Sequence, residues 1–171
     1  MIMNRKEQIQ KVILEVLSSE DHARFAGMSE HEFDQSEGGW RGLARQGTPE
    51  GFRNAYSAMR VRSRNWNDRL ALAGQRVPKR SLLWHAGQMA AFAGDTRKAA
   101  RIMGRKSVSD PDNPEWNNYV AGTRSFLRGD KLGLQRAAVN TLRQPKGSLN
   151  TGVIMRLLGG LRLGKSYADS Y

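Results

Sequence analysis

The sequence predicts an all-α protein, and three observations carry that expectation. Apolar residues recur at helical spacing along most of the 171 residues. Ser, Thr, Asn or Asp stands ahead of several periodic stretches, followed by Pro or Glu in the manner of helix starts. A glycine-marked pattern, Ala86-Gly87-Gln88-Met89-Ala90-Ala91-Phe92-Ala93-Gly94-Asp95, is answered after 35 residues by Ala121-Gly122-Thr123-Arg124-Ser125-Phe126-Leu127-Arg128-Gly129-Asp130. Against these, only Arg60-Val61-Arg62 carries a weak β signal.

The elements follow in order. Ile9, Val12, Ile13, Val16 and Leu17 make the stripe of an amphipathic helix over about 4–18. Ser29 with Glu32 is a capping box that opens a second helix, expected to weaken at Gly38-Gly39 and resume with Trp40, Leu43 and Ala44. Thr48-Pro49-Glu50 supplies a cap, a proline in the first turn and an acid at the positive end of the dipole. It starts one long helix over 49–73, with Phe52, Ala55, Tyr56, Met59, Trp66 and Leu70 on one face, ended by Gly74 and Pro78.

Two helical hairpins come next. Helix A of the first runs from about Lys79 to Ala93, turns at Gly94-Asp95 and continues as helix B to about Lys106. Asn113-Pro114-Glu115 restarts helix A of the second, which turns at Gly129-Asp130 and ends near Leu142. A last helix over about 149–160, led by Val153, Ile154, Leu157 and Leu158, precedes a tail with Tyr167 and Tyr171. The expected organisation is a single helical domain over 1–171: acidic N-terminal helices (1–46), a long basic helix (47–78), two hairpins (79–143), and a C-terminal helix and tail (148–171).

Composition excludes several classes. With 39% hydrophobic and 26% charged residues the chain is too apolar and too mixed to be disordered. No stretch approaches the roughly 20 apolar residues of a membrane helix, so no membrane partner is expected. The charged amphipathic start lacks a signal core, and cysteine is absent, which together point to a cytoplasmic protein without disulfides. The formal net charge of +12 is uneven: −4 over residues 1–40, +8 over 41–80, +1 over 81–120 and +7 over 121–171. Arg53, Arg60 and Arg64 share one face of the long helix, and Arg62 and Arg69 fall in a second row. Arginine rows suit phosphate, so nucleic-acid or other polyanion binding through 41–80 is one functional reading; a solvated surface with surplus charge is the other.

Small residues at Ala86-Gly87, Ala99 and Ala121-Gly122, with Gly-Asp turns between helices, resemble the tetratricopeptide (TPR) repeat over roughly residues 79–143. Trp-His-x-Gly-Gln, Phe-Leu-Arg-Gly-Asp and the paired tyrosines are also similar to a group of bacterial proteins of unknown function. The resemblance implies a TPR-like α-α superhelix of antiparallel hairpins with capping helices. It also implies a peptide- or protein-binding surface on helix A, carried by Trp84, Gln88 and Phe92 in the first hairpin and Tyr119, Thr123 and Phe126 in the second; His85, beside Trp84, is read from its own chemistry as a residue of a binding pocket or as a satisfied, half-buried histidine. The other reading is that these aromatics complete the core. Two clear units fall short of the roughly three a solenoid needs, so flanking helices must cap them, which favours a small pocket or flat docking face over a long groove.

Little points to chemistry. Gly159-Gly160-Leu161-Arg162-Leu163-Gly164-Lys165-Ser166 fits the phosphate-binding-loop spacing, but an apolar helical stretch precedes it where a strand is required. His22, His31 and His85 are far apart and none forms an H-x-x-x-H pair. No nucleophile, base and orienter stand together, so no enzyme, cofactor or metal is expected. The function expected first is a non-catalytic interaction module for a protein or peptide partner, and self-association is compatible with the same surfaces.

Overall fold

The computed structural model describes the backbone of residues 17–73, 79–105, 108–143 and 149–171, with the side chains of these except 63–73, 79, 80 and 149. The described residues are helical, without strands: α1 (Ser19–Gly27), α2 (Glu30–Gln35), α3 (Trp40–Arg45), α4 (Pro49–Ala73), α5 (Lys79–Phe92), α6 (Thr96–Met103), α7 (Pro114–Leu127), α8 (Lys131–Leu142), α9 (Leu149–Arg162) and α10 (Tyr167–Ser170). The sequence reads as one domain; the chain groups into two compact units, residues 1–78 and 79–171. The helix expected over 4–18 lies almost wholly outside the described residues, and Ser18 at its end is the cap of α1, its hydroxyl accepting from the Asp21 amide at 3.0 Å. That cap is the main local signal for α1, whose residues show no clear apolar period.

In the first unit, short helices α1 to α3 lead into α4. The expected capping box closes on both sides: the Glu32 amide donates to Ser29 Oγ and the Ser29 amide to Glu32 Oε2. The helix stops at Gln35 rather than weakening at the glycines, and α3 begins anew at Trp40. Phe25 and Phe33 meet edge to face at 6.1 Å between centroids, and both are buried. Trp40 is buried with Nε1 donating to Asp34, while Arg41 pairs with the same carboxylate at 3.1 Å. Pro49 opens α4 where expected, and Ala55, Ala58 and Met59 form its buried face. Helix runs through Arg60-Val61-Arg62, so the weak β signal there is overridden.

In the second unit, α5 and α6 form one hairpin and α7 and α8 the other; α9 packs on α7 and α8, and α10 on α9 and α5. Each hairpin turn is made by one Gly-Asp pair. Gly94 takes φ +85° and Gly129 φ +68°, a left-handed conformation that side chains resist. The Asp95 amide reaches back to the Ala90 carbonyl and the Gly94 amide to Ala91, and Asp130 and Gly129 repeat this on Ser125 and Phe126. Each aspartate then turns its carboxylate forward onto an amide of the next helix, Lys98 at 3.0 Å and Gly133 at 2.9 Å. One glycine ends a helix and the adjoining aspartate begins the next.

The small pair of helix A marks where helices touch. A Cβ at Gly87 would fall 2.5 Å from Met103 Cγ of α6. At Gly122 it would fall 2.4 Å from Ile154 Cδ1 of α9 and 3.0 Å from Ala137 Cβ of α8. The core around them includes Met89, Met103, Leu134, Ile154 and Leu157, each at most 5% exposed. The phosphate-loop spacing over 159–166 lies on the end of α9, a left-handed Gly164 and the Ser166 cap of α10, with no strand leading into it.

These contacts leave room for a side chain at neither glycine. Alanine in a helix interior gains about 1 kcal/mol over glycine, whereas overpacking a filled core costs about 1–3 kcal/mol. Met103 is fully buried with its Cγ close to its own backbone, and Ala137 Cβ is fixed to its backbone, so neither moves aside easily. Gly87→Ala and Gly122→Ala should therefore both lower the urea midpoint. A rise in midpoint for Gly122→Ala would contradict the packing described.

Candidate functional site

The helix A face of the second unit collects most of the residues that the resemblance singles out. Trp84 of α5 is 2% exposed and meets Trp116 and Tyr119 of α7 at centroid distances of 5.0 and 4.9 Å. One turn on, Gln88 is buried and works as a hub. Its Oε1 lies 2.9 Å from His85 Nδ1, which donates to it when that nitrogen bears a proton. Its Nε2 donates to Tyr171 Oη at 2.8 Å and, at a long 3.5 Å, to Tyr119 Oη. The two tyrosine hydroxyls are themselves 2.8 Å apart.

This face is covered from above by the chain's own tail. Ser166 caps α10, and Tyr167 drops into the aromatic layer, 5.1 Å from Phe92, 5.9 Å from Phe126 and 5.2 Å from Tyr171. Gly160 on α9 admits the tail: a Cβ there would fall 1.9 Å from Ser170 Oγ. Arg156 Nε donates to the main-chain oxygen of Tyr171 at 2.7 Å and holds it over Gln88. Trp84, Gln88, Tyr119 and Thr123 are thus between 0% and 6% exposed, and only His85 is partly open. They are brought together as interior rather than as an outward grip on an extended peptide. Thr123 stands apart from the network, its hydroxyl buried without a partner among the described residues.

The arginines divide differently. Arg53 is exposed and Arg60 partly so. Arg62 is 4% exposed, its Nη1 donating to the Ala26 carbonyl at 3.2 Å and its guanidinium above the Phe33 ring at 5.6 Å. Arg62 ties α1 and α2 to α4 and is not open to phosphate, which corrects its place in the polyanion set. The Arg64 and Arg69 side chains lie outside the described residues. Among the described residues no three acidic or histidine side chains stand close enough to hold a metal, and no helix is long and apolar enough to cross a membrane.

One surface escapes the sequence reading. Helix α8 faces inward with Leu134, Ala137, Ala138 and Thr141, pinned where Asn118 Nδ2 donates to the Ala137 carbonyl at 2.9 Å. Its other side carries Leu132, Val139 and Leu142 at 66%, 49% and 67% exposure. Arg136 and Arg143 are exposed on the same side, Lys131 opens the helix, and α8 has no acidic residue. The available signal was apolar residues on both sides of α8, more than an amphipathic helix needs for one core face.

The aromatic layer makes two predictions. Among the described residues Tyr167 Oη is buried with no partner at hydrogen-bond distance, while Tyr171 Oη has two. Tyr167→Phe should be neutral or stabilising in urea unfolding, Tyr171→Phe should cost about 1–3 kcal/mol by stranding Gln88 and Tyr119, and Tyr167→Ala about 3–5 kcal/mol. Equal losses for both phenylalanine variants would refute the network. Burial, with Tyr171 beside it, pushes the Tyr119 hydroxyl well above its ordinary 10.0, and burial pushes Tyr167 the same way. The unfolded chain then sheds protons near pH 10 that the folded chain keeps. Stability is full below that value and falls as pH rises past it, by up to about 1.4 kcal/mol per unit for each tyrosine. A Tyr119→Phe/Tyr167→Phe double variant should show a flatter decline in urea midpoint above pH 10. Comparison with protein-family models, curated proteins and solved structures finds no match, so the functional reading rests on this geometry.

Proposed function

We propose that this chain is a non-catalytic protein-interaction module, TPR-like in its two glycine-hinged hairpins, that docks a partner on the outer face of α8. The observation that carries the reading is the exposure of Leu132, Val139 and Leu142 along one side of a helix whose opposite side is already packed. Scattered surface leucines need no explanation, but a row of three on one side of a short helix, with polar residues between and around them, marks a contact surface. Fully burying each such side chain is worth about 1.5–3 kcal/mol, enough for three of them to anchor a complex. The helix A face supports the reading indirectly. Its aromatic and amide groups are spent on Tyr167 and Tyr171, whereas the outer face of α8 holds three of the five large apolar side chains exposed among the described residues.

The test is affinity capture from the native host with the full chain and two variants. Leu132→Asp/Leu142→Asp alters side chains that are mostly in solvent and should leave the circular-dichroism spectrum and urea midpoint within about 0.5 kcal/mol of wild type. It should lose a partner that wild type retains. Leu163→Asp, an equally exposed leucine beyond α9, should retain it. Recovery of the same proteins by all three would remove the α8 face from the reading.

A further inference from the structure

We infer that the partner seated on α8 is an acidic amphipathic helix, an inference that rests on the docking reading above. The stripe has helical dimensions. Leu132 and Val139 lie seven residues apart and Leu142 three further on, a run of about 15 Å at 1.5 Å per residue. A partner helix of three to four turns laid along it would offer anchors at i, i+3 or i+4, and i+7.

The rim selects the charge. Arg136 falls one turn after Leu132, and Arg143 one turn after Val139, both exposed, so each flanks the stripe on the side a partner must approach. From Lys131 to Ala168 the sequence has seven basic residues and no Asp or Glu. The nearest carboxylate in sequence, Asp130, is engaged by the Gly133 amide as the cap of α8. Carboxylates on the partner would meet Arg136 and Arg143 with no acidic residue of α8 to repel them, while lysines there would meet no counter-charge from α8.

Two other occupants fit less well. A membrane-surface helix usually adds aromatic anchors at the interface, and α8 has no Trp, Tyr or Phe, while Gln135 and Asn140 interrupt its outer side. A nucleic acid would need the leucines covered by a charged backbone that gains nothing from them.

The experiment uses the full-length protein and synthetic helical peptides of about 14 residues, with leucines at i, i+3 and i+7 and either glutamate or lysine flanks, read by fluorescence anisotropy at low and high salt. The glutamate peptide should bind saturably and more weakly at high salt. Leu142→Asp should weaken it about tenfold, and Arg136→Glu/Arg143→Glu should shift preference to the lysine peptide. Equal binding of both peptides to wild type, with Leu142→Asp weakening both, would overturn the acidic partner and leave the docking face standing. Tighter retention of phosphatidylglycerol vesicles or duplex DNA than of the glutamate peptide would overturn it in favour of those anions. Absence of any peptide binding would overturn it as well, while the capture experiment decides the docking face separately.

Discussion

At Gly122, helix α7 passes α8 and α9 at the same point, with Ala137 on one side and Ile154 on the other. The missing side chain is what allows three helices to share one crossing, because a filled interior of this kind transmits even one methyl's displacement. What lies outward of that crossing depends on it. Were α9 displaced, Gly160 would carry the Ser170 contact away, and α10 would lose the seat from which Tyr167 reaches Phe92 and Phe126. The arrangement on the helix A face therefore depends on a packing constraint at Gly122, one turn along α7 from both Tyr119 and Phe126.

The helix A face shows how an apparent binding constellation becomes interior. Aromatic rings and a side-chain amide on one helical face are what a recognition surface needs, and they are also what is needed to receive a tyrosine-bearing segment of the same chain. Gln88 suits this role because its carbonyl and its two N–H groups serve His85 on one side and the tyrosine hydroxyls on the other. A leucine there would pack as well but would strand those groups. The network thus fixes which residue of the tail sits where, beyond what apolar burial alone would specify. Binding to other molecules then falls to surfaces the tail leaves open.

Elements whose signals are local were legible. Pro49 opens α4, Ser29 and Glu32 close their box, and both Gly-Asp turns end one helix and start another, because each depends on residues within a turn of itself. Where the deciding contact is distant in sequence, reading failed. Arg62 sits in a row that looks solvated, but it lies against Ala26 and Phe33, and an arginine can bury its stem while its head finds a carbonyl. The cluster of Trp84, Gln88 and Tyr119 could be named from its register, yet its cover, Tyr171, is 83 residues from Gln88. Periodicity finds that a residue shares a face; it does not say what closes over that face. The exposed stripe on α8 bears no such local mark, since Leu134 and Ala138 already meet the period of one core face and the period alone does not say that Leu132 and Val139 face solvent.

The Gly-Asp turns have a consequence for how this chain can change length. Each leaves no slack between one helix and the next, so the turn is a phase lock as much as a connection. One residue inserted at Gly94 or Gly129 would rotate the following helix by about 100° about its axis. In α8 that rotation would swing Leu132 and Val139 toward the core and Leu134 out of it. The linker between the hairpins, with its 3₁₀ turn at Val108 and the Asp110–Asn117 clamp, carries no such coupling of register to face. Variation in length should accumulate there, while the two-residue hinges hold their count.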